Sequence, residues 1–178
     1  MVDRTMGWLP TREVDWDAVY KNQLPRVYNY LRFRIGNEAD AEELTSRTFE
    51  KAWRGRKLYQ RDLAGFSTWL FTIAQNVVID HLRSARPHLP LEAAMEVATL
   101  HTPHDEAERD SNLERLTALM RHLSPRDQEV VALKYGADLS NREIARLTDL
   151  SESNVGTLLH RAVRELRSGW ESRENSHE

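Results

Sequence analysis

Positive charge and aromatic rings alternate in the segment RGRKLYQR, from Arg54 to Arg61, and Phe66 and Trp69 follow shortly after it. Cationic side chains bind phosphates, and aromatic rings stack on unpaired bases with ~1–3 kcal/mol of stabilisation per base. The pattern is typical of a segment that binds melted nucleic acid. Trp69, however, belongs to an apolar helical stripe, so its ring is predicted to lie in the core.

A second candidate site lies near the C-terminus, where two short helices are predicted on either side of a tight turn at Leu150-Ser151. Residues 140–143, Ser-Asn-Arg-Glu, form a capping box, and Ser151 is an N-cap residue. Ala145 is a small residue at the expected helix crossing. In a helix-turn-helix the second helix enters the major groove of DNA, whereas an ordinary helical hairpin is the alternative interpretation.

The second of these helices has one face suited to DNA. Asn can read adenine, Glu can accept a hydrogen bond from cytosine, and Arg can neutralise phosphate. The residues predicted for this face are Ser151, Glu152, Ser153, Asn154, Thr157, His160, Arg161 and Arg164. The opposite face, with Val155, Leu159, Ala162 and Leu166, is predicted to be buried.

Other chemistry lacks support in the sequence. There is no cysteine, which excludes disulfides, thiol catalysis and cysteine-bound metals. Ser124 and Ser151 are interpreted as helix caps rather than nucleophiles, and His101 and His104 lack a third metal ligand. No glycine-rich phosphate loop occurs. We therefore expect no catalytic activity, no cofactor, no metal site and no small-molecule substrate.

Composition favours a soluble helical protein. The 178 residues are 30% charged and 40% hydrophobic, with a net charge of −3. That charge divides into +3 for residues 1–86, −5 for 87–113 and −1 for 114–178, so nucleic-acid binding would depend on local patches. The N-terminus has no apolar signal region, and the longest uncharged run is shorter than the ~20 residues of a membrane span. We expect a cytoplasmic protein without membrane insertion.

Helices must position both candidate sites, because apolar residues recur at three- and four-residue spacing through most of the chain. The first helix is predicted from Asp15 to Gly36, with a kink or restart at Pro25. The second runs from about Asn37 to Trp53. The third, from about Ser67 to Ser84, is apolar around most of its circumference and should be the central helix of a bundle.

The predicted fold class is all-α, with two small helical domains joined by a flexible acidic linker. Prolines and acidic residues interrupt the helical pattern between the two halves. The predicted divisions are a disordered tail at 1–13, a first domain at 14–86, the linker at 87–110, a helix-turn-helix domain at 111–170 and a disordered tail at 171–178. Because the linker has few apolar anchors, we expect the domains of the free protein to tumble partly independently.

Both halves also resemble a known family. The segments PRVYNYLRFRIGNEADAEELTSRTFEKAW and FSTWLFTIAQNVVIDHLRSARP look like region two of the extracytoplasmic-function (ECF) sigma factors, which are bacterial transcription initiation factors. The segment LSPRDQEVVALKYGADLSNREIARLTDLSESNVGTLLHRAVRELR looks like their region four. The resemblance covers about residues 14–86 and 112–168, in the family's order and spacing. It implies a three- or four-helix region-two bundle followed by the helix-turn-helix domain.

The resemblance assigns the second helix to docking on the clamp of core RNA polymerase. By position, the docking residues would be Asp40, Glu42, Glu43, Ser46, Arg47 and Glu50. Acidic residues there would suit a basic clamp surface. Ser46-Arg47 stands where family members often have Gln-Glu, so Glu43 is the strongest of these assignments. A solvated charged face is the alternative for this helix.

The resemblance assigns the loop before the third helix, and part of that helix, to the minus-ten promoter element. By position, these residues are Tyr59, Gln60, Arg61, Asp62, Asn76, Asp80, Arg83 and Arg86. Thr72 and Gln75 replace arginines that many members have, so phosphate binding should depend on Arg83 and Arg86.

Region four, by resemblance, reads the minus-thirty-five element through the face described above. Gly156 and Leu158 stand where the family commonly has Lys and Arg, and fewer cations mean weaker non-specific binding. Asp149 stands where glycine is usual, and aspartate tolerates the left-handed backbone better than most residues.

The resemblance implies three partners: core RNA polymerase, promoter DNA and an anti-sigma factor. It predicts a sigma factor that directs polymerase to promoters and promotes DNA melting. The alternative function is an autonomous helix-turn-helix regulator that binds duplex DNA without polymerase.

Overall fold

The computed structural model describes residues 15–59, 65–85 and 111–174. Three α-helices form the first bundle: α1 (Trp16–Ile35), α2 (Glu38–Gly55) and α3 (Phe66–Ala85). A short 3-10 turn, Arg56–Leu58, follows α2. The second bundle contains α4 (Ser111–Met120), α5 (Pro125–Val131), a π-helical turn (Ala132–Gly136), α6 (Asn141–Thr148) and α7 (Glu152–Glu174). The predicted all-α, two-domain architecture is confirmed.

Capping residues set the ends of α1 and α2 as predicted. The Asp15 side chain accepts a hydrogen bond from the Ala18 N–H, and Gly36 ends α1 at φ +76°. Asn37 caps α2 by accepting from the Asp40 N–H. Of the two alternatives at Pro25, a restart is wrong, because α1 is one continuous helix. The exposed proline loses one backbone hydrogen bond, while burial of the residues after it, from Val27 onward, holds the helix.

The first bundle is built around α3. Leu70, Phe71, Ala74, Val77 and Val78 are buried on this helix and pack against α1 and α2. The buried stripe of α2 includes Ala41, Leu44, Thr48 and Ala52. These contacts fix the direction in which the exposed faces of α2 and α3 point.

Local signals also determine the second bundle. Ser124 caps α5, with Pro125 in its first turn, and the complete capping box of Ser140 and Glu143 begins α6. Asp149 ends α6 in the left-handed conformation, φ +55°. The predicted C-terminal tail at 171–178 begins too early, since α7 continues to Glu174.

The two bundles share one hydrophobic core, contrary to the expectation of partly independent domains. The π-helical turn lies against α1, and the Arg26 guanidinium donates hydrogen bonds to the carbonyl oxygens of Ala137 (2.7 Å) and Asp138 (3.1 Å). The expectation of independent domains rested on the linker, residues 87–110, which lies outside the described residues. The two bundles are instead held together by direct contacts between their own helices.

Candidate functional site

The predicted helix-turn-helix is present, and its turn is fully hydrogen-bonded. The left-handed backbone of Asp149 reverses the chain, and the Leu150 N–H donates to the Ala145 carbonyl at 3.1 Å. Ser151 then accepts hydrogen bonds from the Asn154 N–H through its side chain and from the Val155 N–H through its carbonyl. The start of α7 is therefore rigidly placed relative to α6.

All eight residues predicted to face DNA are exposed on the outer face of α7 and its N-cap. The exposed members are Ser151, Glu152, Ser153, Asn154, Thr157, His160, Arg161 and Arg164. Val155, Leu159 and Ala162 are buried beneath them. Leu158 is also buried, so it occupies a core position rather than a surface position from which a cation is missing. An added Cβ at Gly156 would have its nearest neighbour at 4.0 Å, which leaves room for close approach of a ligand.

Arg161 is held by a partner that the sequence analysis missed. Its Nη2 lies 2.7 Å from both carboxylate oxygens of Asp127, and the Asp127 side chain is only 3% exposed. Asp127 also accepts a hydrogen bond from the Ser124 hydroxyl. Arg161 therefore ties α7 to the start of α5, which gives it a structural task besides the predicted phosphate contact.

The predicted docking face of α2 is exposed. Glu42, Glu43, Ser46, Arg47 and Glu50 face solvent, and Asp40 is half-buried. Two of these carboxylates form ion pairs within α2: Arg47 pairs with Glu43 at 3.1 Å, and Arg54 pairs with Glu50 at 2.6 Å. These are exposed i,i+4 pairs, worth only ~0.3–0.5 kcal/mol each, so a partner protein can displace them.

The predicted minus-ten residues divide into three groups. Asn76, Asp80 and Arg83 are exposed on α3, where Asp80 pairs with Lys51 of α2 at 3.2 Å. Tyr59 is half-buried, and its ring contacts Phe66 and Trp69 of α3. The remaining predictions, Gln60, Arg61, Asp62 and Arg86, lie outside the described residues.

Tyr59 belongs to a cluster of five aromatic rings, Trp16, Trp53, Tyr59, Phe66 and Trp69. The Trp16 ring is the hub, 5.6–6.3 Å from the ring centroids of Trp53, Phe66 and Trp69. Trp69 therefore has the structural role predicted for it. Trp53 is 50% exposed, with the Arg56 guanidinium 4.0 Å from its ring. The helical pattern of α1 contained Trp16, but nothing in the sequence indicated that it meets rings some fifty residues away.

Glu129 of α5 is a functional candidate that sequence reasoning missed entirely. Its carboxylate accepts hydrogen bonds from the Tyr30 hydroxyl and the Gln75 amide, both at 2.9 Å, and lies 2.7 Å from Arg34 Nε. Burial alone would lower the pKa of Arg34, but Glu129 and Tyr30 raise it above its ordinary value, so this guanidinium is charged. Burial, reinforced by Glu129, holds the pKa of Tyr30 well above its ordinary value. The sequence showed Glu129 only as one charged residue of a short helix.

Within residues 15–59, 65–85 and 111–174, no cluster of three or more His, Asp or Glu side chains is arranged to hold a metal ion. None of the helices described is both long and apolar enough to cross a lipid bilayer.

A three-helix bundle with an acidic outer helix, followed by a capped helix-turn-helix, defines a two-domain all-α protein. Sequence comparison is more specific, since residues 19–88 match sigma-70 region 2 and residues 113–166 match sigma-70, region 4. The chain belongs to the ECF group of RNA polymerase sigma factors.

Individual relatives agree. The ECF RNA polymerase sigma factor BldN of Streptomyces coelicolor is 36% identical over 153 residues, which cover 83% of this chain but only 57% of BldN. The RNA polymerase sigma factor YlaC of Bacillus subtilis is 31% identical over 155 residues, covering 85% of this chain and 89% of YlaC.

Solved structures show the same fold. The sigma factor RpoE in complex with the anti-sigma factor NepR, from Bartonella quintana, superposes with a TM-score of 0.70 at 18% identity, covering 88% of this chain and 97% of RpoE. CnrH in complex with the cytosolic domain of CnrY gives a TM-score of 0.58 at 22% identity, covering 88% and 86%.

Proposed function

We propose that this protein binds core RNA polymerase, recognises the minus-ten and minus-thirty-five elements of its promoters and promotes melting of the DNA. The observation that carries the proposal is the presence of both regions in one chain, in the family's order, with their outer faces exposed. An autonomous regulator would require only the helix-turn-helix, and that function would not explain the acidic face of α2.

The two bundles bind different partners and different promoter elements. The docking residues of α2 bind the polymerase clamp, where exposed carboxylates complement a basic surface. The loop after Tyr59 and the exposed face of α3 bind the minus-ten element. The first turn of α7 reads bases of the minus-thirty-five element, while His160 and Arg164 approach the phosphates.

An anti-sigma factor is the regulatory partner we propose. The structural neighbour RpoE was solved with the anti-sigma factor NepR, and CnrH was solved with the cytosolic domain of CnrY. The α2 face is the surface such a partner should cover, because polymerase docking requires the same carboxylates. Inhibition by competition for one face follows directly.

Transcription from defined templates tests the function. We expect purified protein plus core polymerase to give discrete run-off transcripts from fragments of the source genome, and core polymerase alone to give none. A band-shift titration of the same fragments without polymerase tests the alternative function. Tight, specific duplex binding by the protein alone, with no run-off product, would establish the autonomous regulator instead.

A further inference from the structure

A cavity of about 270 Å³ lies where the two bundles meet. Its walls come from α1 and α3 of the first bundle and from α5 and α6 of the second. Of the described residues assigned to polymerase or promoter, only Asn76 lines it. A ligand site in this cavity would therefore be a property additional to the proposed function.

Aliphatic side chains form much of the cavity lining. Val78 of α3 and Val130 of α5 are buried, and Ile79, Leu82 and Leu147 are half-buried. An apolar cavity of about 150 Å³ is already large enough to bind benzene. The volume here therefore has room for one aromatic ring, or an aliphatic chain of similar size, together with a small polar group.

The charged groups of the lining favour an anion. Arg34, Arg126 and Glu129 contribute two positive charges and one negative charge. The Glu129 carboxylate is already compensated, because Arg34 Nε lies 2.7 Å from it and the Tyr30 hydroxyl donates a hydrogen bond to it. Among the described lining residues, one positive charge is therefore left uncompensated.

Arg126 supplies that charge at the opening of the cavity. It is exposed, and no hydrogen bond or ion pair joins it to any residue that the structure describes. Asn76 is exposed at the same opening. A guanidinium presents N–H donors in the geometry that a carboxylate accepts. A ligand carboxylate can therefore bind here while the apolar part of the same molecule lies inside the cavity.

We propose that this cavity is a binding site for a small amphipathic carboxylate, whose apolar body lies against the aliphatic lining and whose carboxylate binds Arg126. A neutral apolar molecule leaves the guanidinium without a partner, and a small inorganic anion leaves the apolar lining uncovered. High affinity therefore requires both parts in one molecule. Because the lining combines both bundles, the bound ligand contacts each of them and stabilises the folded chain. Binding alone is proposed, with no chemical step.

Titration of the whole chain with three probes tests the site. Phenylacetate combines a ring with a carboxylate, phenylacetamide has the same shape without the charge, and acetate has the charge without the ring. We expect phenylacetate to bind with a dissociation constant of about 1 mM or lower, phenylacetamide about tenfold more weakly, and acetate not measurably. Ligand-observed NMR measures all three. No detectable binding of phenylacetate, or equal affinities for phenylacetate and its amide, would overturn the proposal.

Variants test the assigned contacts. Arg126→Gln should weaken phenylacetate binding about tenfold and leave phenylacetamide binding unchanged. Arg142→Gln is the matched control, because it makes the same charge change at an exposed position of α6 outside the cavity lining, and it should match the parent. Ile79→Phe fills part of the cavity and should remove binding of both probes. Equal effects of the two arginine variants would show a general charge effect and reject the site.

NMR contacts locate the probe independently of affinity. In methyl-labelled parent protein, we expect intermolecular NOEs from the phenylacetate ring to the methyl groups of Val78 and Val130, one residue from each bundle. If Ile79→Phe loses helix content, these contacts still decide the location. NOEs only to Trp53, which is 50% exposed beside the Arg56 guanidinium, would place the probe at the aromatic cluster and overturn the proposal.

Discussion

At the scale of single residues, Arg161 and Arg164 look equivalent in the sequence but differ in the folded protein. Arg161 neutralises the buried Asp127 carboxylate. We expect Arg161→Ala to lower the free energy of unfolding by about 1–3 kcal/mol, because it leaves that carboxylate without its cation. Denaturant titration followed by circular dichroism measures this. The side chain of Arg164 has no described partner, so Arg164→Ala should leave the unfolding midpoint unchanged. Equal midpoints for the parent and both variants would show that the Asp127 contact contributes no stability.

Asn154 is the residue on which base specificity should depend most clearly. It is exposed in the first turn of α7, and Ser151 fixes its backbone. We expect Asn154→Ala to alter the preference at one minus-thirty-five base pair by ~1–3 kcal/mol. Promoter variants assayed at two salt concentrations measure it. Arg164→Ala is the contrasting variant, since it should weaken all promoters alike and flatten the salt dependence. An Asn154→Ala protein with the parental preference at every base pair would remove this residue from the readout.

At the scale of elements, the proposed docking face of α2 is acidic, and a charge-reversal variant tests whether that charge matters for binding. Glu43→Lys places a cation beside Arg47 on the face proposed to meet the clamp. We expect at least a tenfold loss of affinity for core polymerase, with helix content unchanged, because like charges then oppose each other across the interface. Titration of labelled protein with core polymerase measures the loss. Asp17→Lys makes the same charge change on the exposed surface of α1; similar losses for both variants would indicate a general charge effect instead of a docking face.

The capping box of α6 should make the second bundle sensitive to acid. Burial alone would raise the pKa of Glu143, but hydrogen bonds from Ser140 outweigh it and hold this pKa below its ordinary value. A carboxylate whose pKa is lower in the folded state contributes stability at neutral pH, and this is lost as the pH falls through the carboxyl range. We expect Glu143→Gln to reduce the acid-induced loss of stability, measured as unfolding midpoints between neutral pH and mild acid. An identical pH dependence in both proteins would contradict this.

Local elements were predictable because their causes are local. Asp15, Asn37, Ser124 and Ser140 each cap a helix through atoms within three residues, so the sequence contains the whole interaction. The exposed face of α7 followed from helical periodicity in the same way, whereas the docking face of α2 was implied by the family resemblance. The Asp127–Arg161 contact joins residues 34 positions apart, and Glu129 binds groups 54 to 99 positions away. Neither has a periodic signal, because both arise from how the helices pack.

At the scale of the whole molecule, the continuous core predicts cooperative behaviour. Val27 and Leu31 of the first bundle belong to the same buried cluster as Val130 and Leu133 of the second. We expect calorimetry of the free protein to give one unfolding transition whose calorimetric and van't Hoff enthalpies agree. Independent domains would give two transitions or a lower van't Hoff enthalpy. Repetition at several protein concentrations controls for self-association.

The aromatic cluster gives the protein an intrinsic optical reporter. Of the protein's five tryptophans, Trp16 contacts both Trp53 and Trp69, beside the segment that should engage melted DNA. Trp170 lies on α7 and is not part of this cluster; the Arg115 guanidinium is 4.0 Å from its ring centroid. Stacking of an extruded base on the half-exposed Trp53 should quench the part of the emission that comes from this cluster. Stopped-flow fluorescence can then follow promoter opening in real time with no dye attached to protein or DNA.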